Sequence, residues 1–169
     1  MAFRVLFVCS GNTCRSPMAE ALLKDRILRD PDLRSLGVEV GSAGLDAREG
    51  EPAAEGAVRA LKSRGIGLEE HQTRRFGVDH LEYDLILTMT ESHKSRILLA
   101  YPEAAAKVYT LKEYARLDGP SDIADPFMQG DEAYRSALEE IGRAVEALAG
   151  RLKEQLAGAE EAKRGESES

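Results

Sequence analysis

Residues 9–16 read Cys-Ser-Gly-Asn-Thr-Cys-Arg-Ser, and these types at this spacing suit one chemistry: a thiol attacking a bound tetrahedral oxyanion. A short loop of small residues can curl its backbone N–H groups around an anion, as Ser10, Gly11, Asn12, Thr13 and Cys14 would here. Gly11 is expected to relieve the curl where a side chain would clash. Arg15 can bring its guanidinium fork to the same centre and hold two phosphate oxygens. Amides, a nearby cation and a helix N-terminus that favour a bound dianion also favour the thiolate, the nucleophilic form of a cysteine such as Cys9. Ser16 can donate its hydroxyl to that sulfur. A lone cysteine at a strand end is more often plain core, but the company of Gly11, Asn12, Arg15 and Ser16 favours a nucleophile.

The elements on either side must hold this loop. Phe3 to Val8 is an apolar run broken only by Arg4, the pattern of a strand buried on both faces. Ser16 followed by Pro17 predicts an N-cap and a first-turn proline, with a helix from Met18 to about Leu28. Leu36 to Val40 predicts a second strand, with Gly41 to Gly44 as the loop after it. Ala54, Ala57, Val58 and Leu61 fall at helical spacing after Pro52, and Gly65 stands where a C′ glycine would end that helix. Asp84 to Thr88 and Lys107 to Leu111 are further strands, with a helix capped by Thr90 from Glu91 to about Ala100 between them. Tyr134, Ala137, Leu138, Ile141, Val145, Leu148 and Leu152 mark one face of a long last helix. Past Ala157 the chain turns to Gly, Glu, Lys and Ser, which predicts a domain over 1–157 and a frayed or disordered acidic tail over 158–169.

Strands alternating with helices imply right-handed βαβ units, hence an α/β fold in which a parallel sheet lies sandwiched between helices in three layers. Such sheets bind ligands beyond the carboxyl ends of their strands, where residues 9–16 fall. Arg116 to Gly130 carries no periodic pattern, and a loop of that length is often functional. The 169 residues suffice for one domain without disulfide or metal staples. Two cysteines and a first apolar run too short for a signal peptide or a span make a reduced, cytoplasmic setting the expectation, with no membrane partner. A net charge of −7, 5% aromatic residues and no basic block longer than Arg74-Arg75 argue against nucleic acid.

The run from Val8 through Cys9, Arg15 and Ser16 to Pro17-Met18-Ala19-Glu20 resembles the signature of the low-molecular-weight protein tyrosine phosphatases. The resemblance extends to Ser42-Ala43-Gly44, Gly65 to Arg74, Asp84 to Met89 and Asp125-Pro126-Phe127, nearly the whole chain. It implies a central four-stranded parallel sheet, phosphorylated proteins as substrates, and hydrolysis in two steps through a phosphocysteine. Inorganic phosphate would be the product, and neither metal nor other cofactor is implied. Carried over by position, Cys9 attacks phosphorus, Arg15 holds the phosphoryl oxygens, and Asp125 protonates the leaving group and then activates water. Asn12, Ser42 and His71 match positions whose side chains hydrogen-bond one another beneath the loop and hold Asn12 in a strained conformation.

Phosphotyrosine-specific members usually carry a branched aliphatic residue at the position of Thr13 and an aspartate at that of Thr90. The Gly-Asn-Thr-Cys variant, with Met89-Thr90, His93-Lys94 and Thr110 to Tyr114, is instead similar to the bacterial protein-arginine-phosphatase branch. A polar Thr13 tolerates a flat guanidinium better than a tyrosine ring, and Phe127 is the only obvious aromatic wall. Phosphoarginine is therefore the expected substrate, with phosphotyrosine as the alternative. Cys14 is either a redox partner that forms a disulfide with Cys9 or a small buried hydrophobe. Thioredoxin-coupled arsenate reductases share the loop but need cysteines downstream, and none follows Cys14. A phosphocysteine carrier would have no use for Arg15 or for an acid.

Overall fold

The computed structural model describes residues 2–168. Strand β1 covers Phe3–Cys9, β2 Val38–Gly44, β3 Leu85–Thr88 and β4 Val108–Thr110. They form one parallel sheet in the order β2-β1-β3-β4. In a strand successive side chains point to opposite faces, and β1 feeds two cores accordingly. Val5, Phe7 and Cys9 join one cluster with Leu85, Leu87 and Met89, while Leu6 and Val8 join the other with Ile86, Ile97 and Val108. This double burial is why β1 reads as a nearly unbroken apolar run.

Helices α1 (Arg15–Leu28), α3 (Glu55–Lys62) and α6 (Asp131–Glu168), with the short α2 (Pro31–Ser35), cover the first face. Helix α4 (Glu91–Ala100) covers the second, and α5 (Leu111–Tyr114) follows β4 directly. The result is the three-layer α/β sandwich with a central four-stranded parallel sheet that the sequence implies. No helix among the described residues is long and apolar enough to cross a membrane.

Several element ends differ from expectation for identifiable reasons. Helix α1 begins at Arg15, with Cys14 before it and no side-chain cap, because the hydroxyl of Ser16 is engaged by other residues of the loop. Strand β2 runs on through Ser42-Ala43-Gly44, which pair with Phe7, Val8 and Cys9, so the expected loop there is strand. Helix α3 ends as expected: Gly65 has φ 75°, and the Ile66 N–H reaches back to the Leu61 carbonyl. Helix α2 is an element beyond those expected, in which Asp30 accepts from the N–H groups of Asp32 and Leu33 and Pro31 opens the first turn. Helix α6 continues to Glu168 where an unstructured tail over 158–169 is expected, with 157–166 exposed. Its Ala, Glu and Lys are good helix formers that extend a helix already begun. Ser169 lies outside the described residues.

β1 lies between β2, reached first, and β3, reached later on the other side. The switch in strand order thus falls at the end of β1, where a ligand crevice is expected.

Candidate active site

Cys9 ends β1 and is buried, at 2% exposure. Its Sγ lies 2.9 Å from Ser16 Oγ, and the Asn12 N–H points at it from 3.3 Å. The Asn12 N–H favours negative charge on the sulfur, and the Ser16 hydroxyl, which also reaches the Ala43 carbonyl at 3.4 Å, can turn its hydrogen to it.

Asn12 holds the loop's shape. Its φ is 57°, a left-handed conformation that asparagine tolerates better than most residues. Fully buried, it uses both side-chain N–H groups and its side-chain carbonyl: Nδ2 donates to Ser16 Oγ at 2.8 Å and to Ser42 Oγ at 2.9 Å, and Oδ1 accepts from the Arg74 N–H at 2.9 Å. Ser42 in turn donates to Glu20 Oε1 at 2.5 Å. His71 reaches Asn12 as well, but its Nε2–H donates to the backbone carbonyl at 2.8 Å and not to the side chain. The scaffold trio of Asn12, Ser42 and His71 is therefore together, on both sides of the same residue.

The glycine that the loop requires is not the expected one. A Cβ on Gly11 would meet only Thr13 Oγ1, at 3.5 Å, so no clash explains Gly11. On Gly44 it would stand 2.6 Å from the Ser10 carbonyl oxygen and 2.7 Å from the Asn12 nitrogen. The end of β2 lies directly under the loop. Its continuation secures the loop further, since the Leu45 and Asp46 N–H groups donate to the carbonyls of Cys9 and Ser10.

Arg15 is 5% exposed. Nη1 donates to the Ile123 carbonyl at 2.8 Å, and Nη2 lies 3.5 Å from Asp125 Oδ2. Ile123 is itself pinned to the sheet, its N–H donating to the Met89 carbonyl just past β3. This one buried residue ties the 116–130 loop to both the sheet and the guanidinium, and so sets where Asp125 stands. Its only sequence signal is a lone β-branched apolar residue in a polar loop. Asp125 is half exposed, with Oδ1 accepting from the Phe127 N–H at 3.1 Å. Phe127 is 52% exposed beside it.

Thr13 is partly exposed on the loop, and Cys14 turns inward. Cys14 Sγ sits 3.4 Å from Tyr134 Oη and 3.6 Å from Thr13 Oγ1, and burial pushes its thiol above the ordinary range despite those bonds. Both cysteines are free. One neighbour had no signal as a contact: Ser10 Oγ lies 2.9 Å from His93 Nε2, on the first turn of α4.

A sulfur in contact with a hydroxyl and a backbone N–H, on the same short loop as a buried guanidinium that reaches a carboxylate, is what a phosphatase acting through cysteine must assemble. The chain belongs to the family described as low molecular weight phosphotyrosine protein phosphatase, which matches residues 4–158. It is 43% identical over 154 residues to a protein-arginine-phosphatase of Geobacillus stearothermophilus, covering 90% of this chain and 97% of that protein. The solved YwlE arginine phosphatase from the same organism superposes with a TM-score of 0.82 at 41% identity, over 92% of this chain and 96% of the other. A second structure is a cysteine-to-serine mutant of the YwlE arginine phosphatase with a phosphorylated active-site serine. It superposes with a TM-score of 0.82 at 37% identity, over 89% of this chain and 95% of the other.

Proposed function

We propose that this cysteine-dependent phosphatase removes phosphate from phosphoarginine in proteins, with Cys9 as nucleophile, Arg15 as phosphoryl clamp and Asp125 as acid and then base. In the first step the Cys9 thiolate attacks phosphorus, the P–N bond breaks, and its electron pair leaves on the guanidino nitrogen. Free guanidine is so strong a base that this nitrogen must be protonated as it departs. Asp125 supplies that proton from beside Arg15. In the second step the Asp125 carboxylate takes a proton from water, the water oxygen bonds to phosphorus, and the S–P bond breaks. The products are inorganic phosphate and the thiolate, again stabilised by Ser16 and the Asn12 N–H. The backbone of Ser10, Gly11, Asn12, Thr13 and Cys14 and the side chain of Arg15 surround the phosphoryl group in this reading.

The observation that carries the substrate assignment is Thr13, a polar, partly exposed side chain on the loop, supported by similarity to proteins named protein-arginine-phosphatase. Phe127, exposed next to Asp125, offers a face for a planar guanidinium to stack on. Phosphotyrosine is the second reading, favoured by the family's description. Rates on phosphoarginine and phosphotyrosine peptides of one sequence decide between them. A higher kcat/KM on phosphoarginine is expected, and a clear preference for phosphotyrosine would refute the assignment. Turnover that survives Cys9→Ser would refute the mechanism.

A further inference from the structure

The Ser10–His93 pair has no part in that scheme, yet it joins the phosphate loop to α4 at the rim of the site. His93 is 5% exposed, and Arg15 and Asp125 both lie near enough for their charges to act on it. Its Nε2 meets Ser10 Oγ at 2.9 Å, while Nδ1 is buried without a hydrogen-bond partner among the described residues. This asymmetry selects the tautomer. A buried N–H with no acceptor forfeits a full donor, whereas an imidazole nitrogen with only a lone pair forfeits less. The ring proton therefore sits on Nε2 and is donated to Ser10. Burial and the neighbouring arginines keep the ring neutral down to about pH 4. Helix α4 holds the ring in place, because the His93 N–H is bonded to Thr90 Oγ1, the helix cap.

Ser10 Oγ thus receives one bond from His93 and keeps a lone pair and its own hydrogen. Its residue directly follows the nucleophile and is partly exposed. We propose that Ser10 is a specificity-determining residue whose Oγ accepts an N–H of the departing guanidino group, with His93 as the residue that positions it. The proposal rests on the phosphoarginine reading above. It adds a second polar group to Thr13 and explains a buried histidine at the start of α4. A guanidino group brings several N–H donors that need acceptors, and Ser10 answers one of them. A phenyl ring at the same place would cover the serine hydroxyl and leave its remaining lone pair without a donor, a mismatch that sites built to hydrogen-bond their substrate penalise.

The test compares phosphoarginine and phosphotyrosine peptides on the wild type and on Ser10→Ala, His93→Leu and His93→Gln. Glutamine can place an amide N–H near the position of Nε2. Ser10→Ala and His93→Leu are expected to lower the ratio of kcat/KM for phosphoarginine over phosphotyrosine about tenfold, mainly through KM, and His93→Gln to recover most of it. Tenfold is about 1.4 kcal/mol, the upper range for one neutral hydrogen bond. If Ser10→Ala leaves the ratio unchanged while the wild type still prefers phosphoarginine, the role of the dyad is overturned and the substrate reading stands. If Ser10→Ala lowers the ratio but His93→Leu and His93→Gln both match the wild type, the positioning role of His93 is overturned. A wild type that prefers phosphotyrosine overturns both the substrate reading and this proposal before any variant is made.

Discussion

At the scale of single residues, the proposed chemistry divides between groups that the loop holds rigidly and one that a neighbouring loop brings in. Asp125 is the latter, placed by the bonds of Ile123 to Arg15 and Met89. General acid help is worth about 10²–10⁴ in rate, and its value grows with the basicity of the leaving group. Asp125→Ala is accordingly expected to slow phosphoarginine hydrolysis by about 10²–10⁴, and to slow an activated aryl phosphate far less in the step that forms phosphocysteine. Equal losses on both, read by burst kinetics, would remove Asp125 from the acid's role. Cys14 makes a different prediction. Burial holds it in the thiol form beside Tyr134, so peroxide is expected to oxidise Cys9 first, to a sulfenic acid. The Cys14 sulfur can then bond to that sulfur with loss of water, once it turns away from Tyr134. Dithiothreitol should restore activity to the peroxide-treated wild type, and recovery in Cys14→Ser should fall well short of it. Equal recovery in both would leave Cys14 as packing only.

At the scale of elements, the loop between β1 and α1 keeps its shape because its neighbours leave no other room. Gly44, at the end of β2, allows the backbone of Ser10 and Asn12 to lie against the strand. Gly44→Ala must displace that backbone, since a Cβ cannot stand 2.6 Å from the Ser10 carbonyl. It is expected to destabilise by about 1–3 kcal/mol in denaturant melts, as overpacking does, and to weaken binding of inorganic phosphate. Wild-type melts and phosphate affinity in this variant would show that the close approach does not matter. A second junction ties α1, α2 and α6 together away from the site. Lys153 and Arg26 both reach Asp30 Oδ2, at 2.5 Å and 2.7 Å, and with the Leu33 N–H they hold its carboxyl well below the ordinary carboxylate range. The folded value lies below the unfolded one, so Asp30 stabilises the fold above about pH 4 and loses that contribution as pH falls through the folded value. Asp30→Asn should therefore melt lower than the wild type at neutral pH, with the gap closing as the buffer is taken below about pH 4. A gap that stays constant across that range would assign the effect to capping of α2 alone.

At the scale of the whole molecule, the sheet order sets the site and the last helix closes the core. Ile141, Ala144, Val145, Leu148 and Leu152 of α6 are buried against the sheet side, whereas 157–166 are exposed. Removing residues 158–169 is expected to leave thermal stability within about 0.5 kcal/mol and kcat/KM unchanged, while the helical circular dichroism drops. A marked loss of stability would mean that the end of α6 belongs to the domain. Much of this organisation is legible in the sequence, because local patterns carry it: the apolar run of β1, the helical spacing from Tyr134 to Leu152, the Thr90 cap, and a cysteine and an arginine bracketing one short loop. These depend on neighbours in the chain, and so does the choice of Cys9, Arg15 and Asn12. Contacts between distant segments are another matter. That Gly44 and not Gly11 is sterically required, that β2 extends through Ser42, that Ile123 pins the loop carrying Asp125, and that Ser10 meets His93 all follow from which strand ends lie side by side. No local periodicity encodes such meetings, since each is decided by packing two surfaces far apart in the chain, and only the folded sheet brings those surfaces within reach of one another.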